Sequence, residues 1–169
     1  NPRQREALVR AVAELHLLTR RFHSVYTQDR WNYGVELCAE LASEAAQTIA
    51  TAEAAAKLAW YRDELAALEL PICLPKGICH CDFHYSNVLY CGDEVAALLD
   101  FDDANRTYLA LDVAFLAEPF APAFQWDTWQ QFGPDDNVLD FAELRWVVAT
   151  YQRYRPLTHA EQKYLFDVV

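Results

Sequence analysis

The run His80-Cys81-Asp82-Phe83-His84-Tyr85-Ser86-Asn87 is the densest stretch of polar chemistry in the chain. It follows a short strand-like piece, Ile78-Cys79-His80. It precedes Val88-Leu89-Tyr90, then Cys91-Gly92-Asp93-Glu94, then Val95 to Leu99, which reads as strand, turn, strand. The second strand runs straight into Asp100-Phe101-Asp102-Asp103. A hairpin returns the chain to where it started, so the two polar clusters are expected to lie close in space.

On the N-terminal side, Leu8, Val12, Leu15, Leu18 and Phe22 recur at spacings of three and four and predict an amphipathic helix over 4–22, which carries His16 and His23. Thr27 to Gly34 reads as a loop. The helical period returns over 35–49, through Leu37, Leu41, Ala45 and Ile49. It returns again over 52–69, through Leu58, Tyr61, Leu65 and Leu68, in an Ala-rich stretch of high helix propensity. Pro71, Pro75 and Gly77 end this block. On the C-terminal side, helices are expected at about 109–118, 138–153 and 158–168. An aromatic loop from Pro119 to Pro134 separates the first two, with Trp126 and Trp129 read as packing residues. The expected class is α+β, predominantly helical, with a small β-hairpin carrying the polar loops.

At 169 residues the chain is one domain or part of one, long enough to bury roughly two thirds of its unfolded surface. A 53% hydrophobic, 23% charged composition excludes a disordered tail and a coiled coil. No apolar run approaches the roughly 18 residues of a membrane helix, and the opening residues lack the apolar core of a signal peptide. Net charge is −11, which argues against nucleic acid, because phosphate binding needs a basic face. Between Ile78 and Leu144 stand 13 Asp and Glu and a single base, Arg106. Such a region suits a divalent cation or a cationic ligand, or else a solvated acidic surface. Five cysteines, an odd number with no CxxC pair, point to a reducing cytoplasm and to buried free thiols at Cys79 and Cys81, not zinc ligands. The chain contains no Met and begins with Asn, which reads as a segment of a longer protein.

Phosphoryl transfer asks little covalent chemistry of a protein. It needs a carboxylate at the acceptor hydroxyl and oxygen ligands that hold Mg²⁺ on the nucleotide phosphates. Asp82 can supply the first. Asn87 and Asp100 can supply the second. The joint spacing H-x-D-x-x-x-x-N, then a hairpin, then D-F-D, is far more specific than any of its parts.

HCDFHYSNVLY followed by LLDFDDA resembles the aminoglycoside phosphotransferase and choline kinase superfamily, whose pattern is H-G-D-x-H-x-x-N-[VIL]-L and then D-[WF]-[DE]-x-A. The matching residues are His80, Asp82, His84, Asn87, Val88, Leu89, Asp100, Phe101, Asp102 and Ala104. The family's A-x-L-H element resembles Ala13-Glu14-Leu15-His16, and its D-[LV]-A element resembles Asp112-Val113-Ala114. LPKGICHCDFHYSNVLY and the late YQRYRPLTHAEQ are similar to the bacterial homoserine-kinase branch, with its P-x-G-x-x-H-x-D lead-in and Y-x-x-x-R-P-L-[ST]-x-x-E helix.

The resemblance implies a protein-kinase-like C-terminal lobe. In it Asp82 is the catalytic base, Asn87 and Asp100 bind the Mg²⁺ of ATP, and Asp102 or Asp103 assists a second metal or the loop geometry. His80 and Phe101 would pack to fix the loop, His84 would be structural at the site, and Asp112 and His16 would brace it. Two residues depart from the pattern. Cys81 stands where the family has Gly, and His84 where homoserine kinases often have Phe. The family's N-lobe, with its Gly-rich phosphate loop, strand Lys and partner Glu, has no counterpart here, and further C-terminal helices are expected after Val169. The segment alone is therefore expected to bind ATP poorly and to be inactive.

The expected acceptor is a small molecule, homoserine or a related amino alcohol first, with an aminoglycoside or a choline-like ammonium as alternatives. Two other classes stand beside this one. A metal-dependent hydrolase could use His80, Asp82 and His84 on one face of a strand. A pseudokinase would keep the fold without turnover. No feature of the sequence assigns an oligomeric state.

Overall fold

The computed structural model describes residues 1–25, 34–83, 85–117 and 140–168. Helix α1 spans Pro2–Thr19, and its start is written in the sequence. Asn1 accepts from the Gln4 backbone N–H, Gln4 reaches back to Asn1, and Pro2 occupies a position whose N–H has no helical partner anyway. The buried stripe of α1 is Val9, Val12, Ala13 and His16, whereas Leu18 is 82% and Phe22 55% exposed. The apolar face expected through Leu18 and Phe22 is thus corrected by rotation around the helix. A polar residue takes the central buried position because it finds two buried partners there.

Helices α2 (Val35–Ile49) and α3 (Ala52–Ala67) follow the expected spans closely, and Thr51 caps the second. Neither contains a buried residue. They form a hairpin whose apolar sides pack mainly on each other, tied by Arg62 donating to Ser43 at 3.0 Å.

Strand β1 (Lys76–Cys79) leads to a 3₁₀ turn at Tyr85–Asn87 and the hairpin of β2 (Val88–Cys91) and β3 (Glu94–Leu98). Gly92 takes φ +63° in the tight turn, a conformation that costs an L side chain about 1–2 kcal/mol. The N-terminus of α1 clamps this turn: Asn1 donates to Asp93 at 3.1 Å, Gln4 to the Gly92 carbonyl at 2.9 Å, and Arg10 pairs with Glu94. Asp93 and Glu94 are therefore structural acids.

A further strand, β4 (Asn105–Tyr108), was not among the expected elements. It pairs antiparallel with β1, Ile78 opposite Arg106 and Cys79 opposite Asn105. Asn-Arg-Thr-Tyr has no apolar alternation, so its strand state comes from the partner and not from its own pattern. Gly77 of β1 sits where an added Cβ would come within 2.7 Å of Leu109 Cδ2, so a larger residue there would make that leucine side chain shift.

Helix α4 (Leu109–Phe115) packs on β1 and on α5 (Phe141–Tyr154), which is capped by Asp140. The main core joins Val9, Val12 and Ala13 of α1 to Val113, Leu116 and Ala117, to Leu144, Val147 and Tyr151 of α5, and to Leu157. The expected helix over 158–168 is two short ones, α6 (His159–Lys163) and α7 (Leu165–Val168), broken at Tyr164, whose φ of −106° and ψ of 17° leave the helical region. The break lets Leu165 turn inward to 7% exposure. The class is α+β, mostly helical, with two small antiparallel sheets among the described residues. Among the described residues no helix is long and apolar enough to cross a membrane. The expected loop at Thr27 to Gly34 and the aromatic loop with Trp126 and Trp129 fall almost wholly outside the described residues.

Candidate active site

The polar loop leaves β1 at His80 and is held from beneath by one carboxylate. Asp112, fully buried on α4, accepts from the His80 backbone N–H at 2.7 Å and the Cys81 backbone N–H at 2.9 Å. The same carboxylate meets His16 Nε2 at 3.0 Å, and His16 Nδ1 meets the Tyr151 hydroxyl at 2.6 Å. Burial pushes the Tyr151 phenol well above its ordinary range, so it stays protonated and donates. With Tyr151 as the donor, His16 accepts at Nδ1 and donates from Nε2 to Asp112. Three helices, α1, α4 and α5, are tied to the loop through fully buried groups.

Those bonds hold an unusual backbone. Cys81 has φ +64°, a left-handed conformation that explains why a glycine belongs at this place in the family pattern. Its side chain is accommodated against Cys79 and Leu109. Burial and the nearby Asp112 carboxylate push the Cys81 thiol up to about 12, and burial pushes the Cys79 thiol higher than its ordinary range as well. Neither is a thiolate nucleophile or a ready metal ligand at neutral pH.

The His80 ring is spoken for on every side. Nδ1 accepts from the Asp82 backbone N–H at 3.3 Å, and Nε2 donates to the Leu99 carbonyl at 2.8 Å. Phe83 stacks on one side with centroids 4.6 Å apart, and Phe101 lies 4.7 Å away at 57°. Such a ring is a post, not an acid or base, and has no nitrogen left for a metal. The facial triad of His80, Asp82 and His84 loses its first ligand by this geometry, and His84 lies outside the described residues.

Asp82 is half-buried. Its Oδ2 accepts from Asn87 Nδ2 at 2.8 Å, and its carbonyl accepts from the same nitrogen at 3.1 Å. With the amide nitrogen committed to Asp82, Asn87 turns its Oδ1 the other way, where Ser86 Oγ donates at 3.1 Å. A carbonyl oxygen has two lone pairs, so Oδ1 retains capacity for a cation. Asp100 is exposed, with φ +59°. Its two neighbours are anchored to the loop: Leu99 donates to the Asn87 carbonyl at 2.8 Å and accepts from His80, and Phe101 rests on the His80 ring. Asp102 and Asp103 are exposed in the turn that Ala104 closes by donating to the Phe101 carbonyl at 3.0 Å. An amide oxygen and a carboxylate are hard donors, a set that fits Mg²⁺.

Tyr151 was not singled out from the sequence, although it opens the late YQRYRPL motif. The rest of that motif also has a structural reason. Arg155 donates to Glu161 Oε1 at 2.8 Å, Leu157 enters the core, and Thr158 and Glu161 form a capping box. The other buried set with metal-ligand chemistry among the described residues is His16, Cys79 and Asp112. Its donors are already engaged with Tyr151, with each other and with the Thr107 and Tyr108 carbonyls.

A family model described as the phosphotransferase enzyme family matches residues 1–157. The chain belongs to the phosphotransferase enzyme family. Proteins similar to it include the homoserine kinase of Rhodopseudomonas palustris (strain ATCC BAA-98 / CGA009), 34% identical over 102 residues, which are 59% of this chain and 28% of that protein. The homoserine kinase of Bradyrhizobium sp. (strain ORS 278) is 30% identical over 151 residues, 89% of this chain and 43% of that protein. The homoserine kinase of Nitrobacter winogradskyi (strain ATCC 25391 / DSM 10237 / CIP 104748 / NCIMB 11846 / Nb-255) is 33% identical over 89 residues, 53% and 24% of the two chains. The chain thus spans less than half the length of these relatives.

Proposed function

We propose that these residues form the C-terminal, protein-kinase-like lobe of a cytoplasmic phosphotransferase that moves the γ-phosphate of ATP to a hydroxyl of a small acceptor. The observation that carries this reading is the frame around Asp82. Asn87 clamps the carboxylate and its own backbone, and Leu99, next to Asp100, is bonded to both ends of the same loop. Asp82 takes the proton of the acceptor hydroxyl as its oxygen forms a bond to the γ-phosphorus, and the bond to the β-phosphate oxygen breaks to release ADP. Asn87 Oδ1 and the Asp100 carboxylate would hold Mg²⁺, with Asp102 a further ligand. When bound, the ion neutralises charge on the nucleotide phosphates. His80, Phe101, Asp112 and His16 keep the loop in place. His84 completes the structural set.

The first-choice acceptor is homoserine or a related amino alcohol. The polycationic alternatives drew on the acidity of residues 78–144, and much of that acidity has structural uses. Asp93 pairs with Arg3, Glu94 with Arg10 and Glu143 with Arg5, Asp140 caps α5, and Asp112 is buried under the loop. The lobe that covers the nucleotide lies, in this proposal, outside the 169 residues, which alone bind ATP poorly and do not turn over.

The test is ADP release by the full-length protein with Mg·ATP, across homoserine, choline, methylthioribose, fructosamine and aminoglycosides. Release with homoserine, falling about 10²–10⁴-fold in Asp82→Asn, is expected. Equal activity in Asp82→Asn removes Asp82 from the mechanism. Release with an aminoglycoside or choline alone transfers the protein to that substrate class, and no release with any acceptor favours a pseudokinase.

A further inference from the structure

Arg106 is the only Lys or Arg between Ile78 and Leu144, in a region with 13 acids. It is partly buried on β4, and among the described residues its Nε is buried with no hydrogen-bond partner. A guanidinium is fully ionised at any physiological pH and presents its donors in a planar fork that matches a carboxylate. A buried donor with no protein partner is costly unless a water or a ligand satisfies it, and the guanidinium fork is matched best by an anion.

Its position fits such a use. Arg106 pairs with Ile78, one strand step of about 3.3 Å from Cys79, where β1 gives way to the Asp82 loop. Asn105 and Thr107 turn inward and are buried, which puts Arg106 and Tyr108 on the opposite face. On that face the Lys76 ammonium lies 4.3 Å from the Tyr108 ring centroid. Lys76 and Tyr108 also line a cavity of about 680 Å³, together with Cys38 of α2 and Tyr61 and Leu65 of α3. Arg106 does not itself line that cavity; along β4 it lies between Tyr108, which does, and Asn105, which pairs with Cys79 where the loop that carries the base begins.

We infer that Arg106 binds the carboxylate of the acceptor, which makes it a specificity-determining residue and assigns the acceptor to hydroxyl-bearing carboxylates. The inference rests on the reading of Asp82 as the base of an alcohol phosphotransferase. A polycation would be repelled by an unpaired guanidinium, and choline has no anion for it to hold. A second anion could claim the same donors, the phosphoryl group in transfer, and kinetics separate the two.

The experiment compares two acceptors that differ by one group, L-homoserine and its decarboxylated analogue 3-aminopropan-1-ol, in the full-length protein with saturating Mg·ATP. Wild type should prefer homoserine in kcat/KM. Arg106→Gln should raise KM for homoserine about 10- to 100-fold with kcat little changed, leave 3-aminopropan-1-ol untouched and so erase the preference. Arg106→Lys should restore part of it. Thermal unfolding of each variant checks the fold. If Arg106→Gln fails to fold, Arg106→Lys and Arg106→Met replace it, and the two-acceptor ratio remains the readout. An equal fall in kcat for both acceptors overturns the inference in favour of a phosphoryl contact, and an unchanged ratio overturns it outright. Wild type that phosphorylates neither acceptor refutes the homoserine reading itself. Phosphorylation of homoserine with no role for Arg106 refutes the inference alone.

Discussion

Replacing Asp112 by Asn changes a buried carboxylate to an amide of the same shape, and the structure sets what that costs. Oδ1 accepts from the Cys81 N–H, and Oδ2 accepts from the His80 N–H and from His16. An amide has one acceptor oxygen. If it replaces Oδ2, its NH₂ faces the Cys81 N–H. If it replaces Oδ1, its NH₂ faces the His80 N–H. His16 can switch tautomer in the second case, but a backbone N–H cannot. Either way one buried donor is orphaned, at about 1–3 kcal/mol. The surviving bonds lose their charge assistance, which brings the total to about 2–4 kcal/mol. For a chain of this size that lowers Tm by roughly 5–15 °C. Circular dichroism melts of wild-type and Asp112→Asn protein, with urea titrations at equal m-value, measure it. Tyr151→Phe, which removes the hydroxyl bonded to His16 Nδ1 and to Arg155, should cost about 1–3 kcal/mol. The double variant should fall short of the sum, because the two residues share one histidine. An Asp112→Asn melt within about 2 °C of wild type would refute the claim that this carboxylate holds the loop.

Glu161→Ala should be the more severe change at the C-terminal end. It strands a largely buried Arg155 and removes half of the Thr158 capping box, for about 3–5 kcal/mol, read from the same melts. A loss under about 1 kcal/mol would mean that the pair is not formed. Cysteine chemistry follows burial. Iodoacetamide at pH 8 on folded protein should modify Cys38, Cys73 and Cys91, and should reach Cys79 and Cys81 only after unfolding, as peptide mass spectrometry will show. Both buried thiols are pushed up from the ordinary value of 9.0, Cys81 to about 12, so their neutral form is favoured by folding. That contribution is complete below about pH 9, and declines as pH rises from 9 toward 12, because the unfolded chain ionises first. Alkaline stability that stays flat to pH 12 would contradict the burial of Cys81.

The polar run 80–87 and the acids after the hairpin were legible because strand, turn and loop signals are local. A Gly-containing turn between two apolar runs folds back on itself, and Leu99 meeting Asn87 is the consequence. The helices were legible for the same reason, since a cap such as Asn1 or Thr158 and a 3.6-residue period act within a few residues. Cys81 in place of the family's glycine was legible as a departure from the pattern, and only the structure showed the left-handed backbone beneath it. The rest depended on partners far away in the chain. β4 has no pattern of its own and is a strand because β1 accepts it. His16 lies on the helix the sequence predicted, but only packing against Asp112, 96 residues on, and Tyr151, 135 residues on, turns that face inward. Arg106 looked like a lone base in an acidic stretch, and its buried, unpartnered Nε is a property of the assembled sheet. By itself the sequence determined the element types and the identity of the polar loops, because propensity, caps and turns are short-range. Only the tertiary structure decided which side of α1 is buried, what holds the loop and which charges are already paired, because burial and hydrogen bonding are made between residues the chain separates.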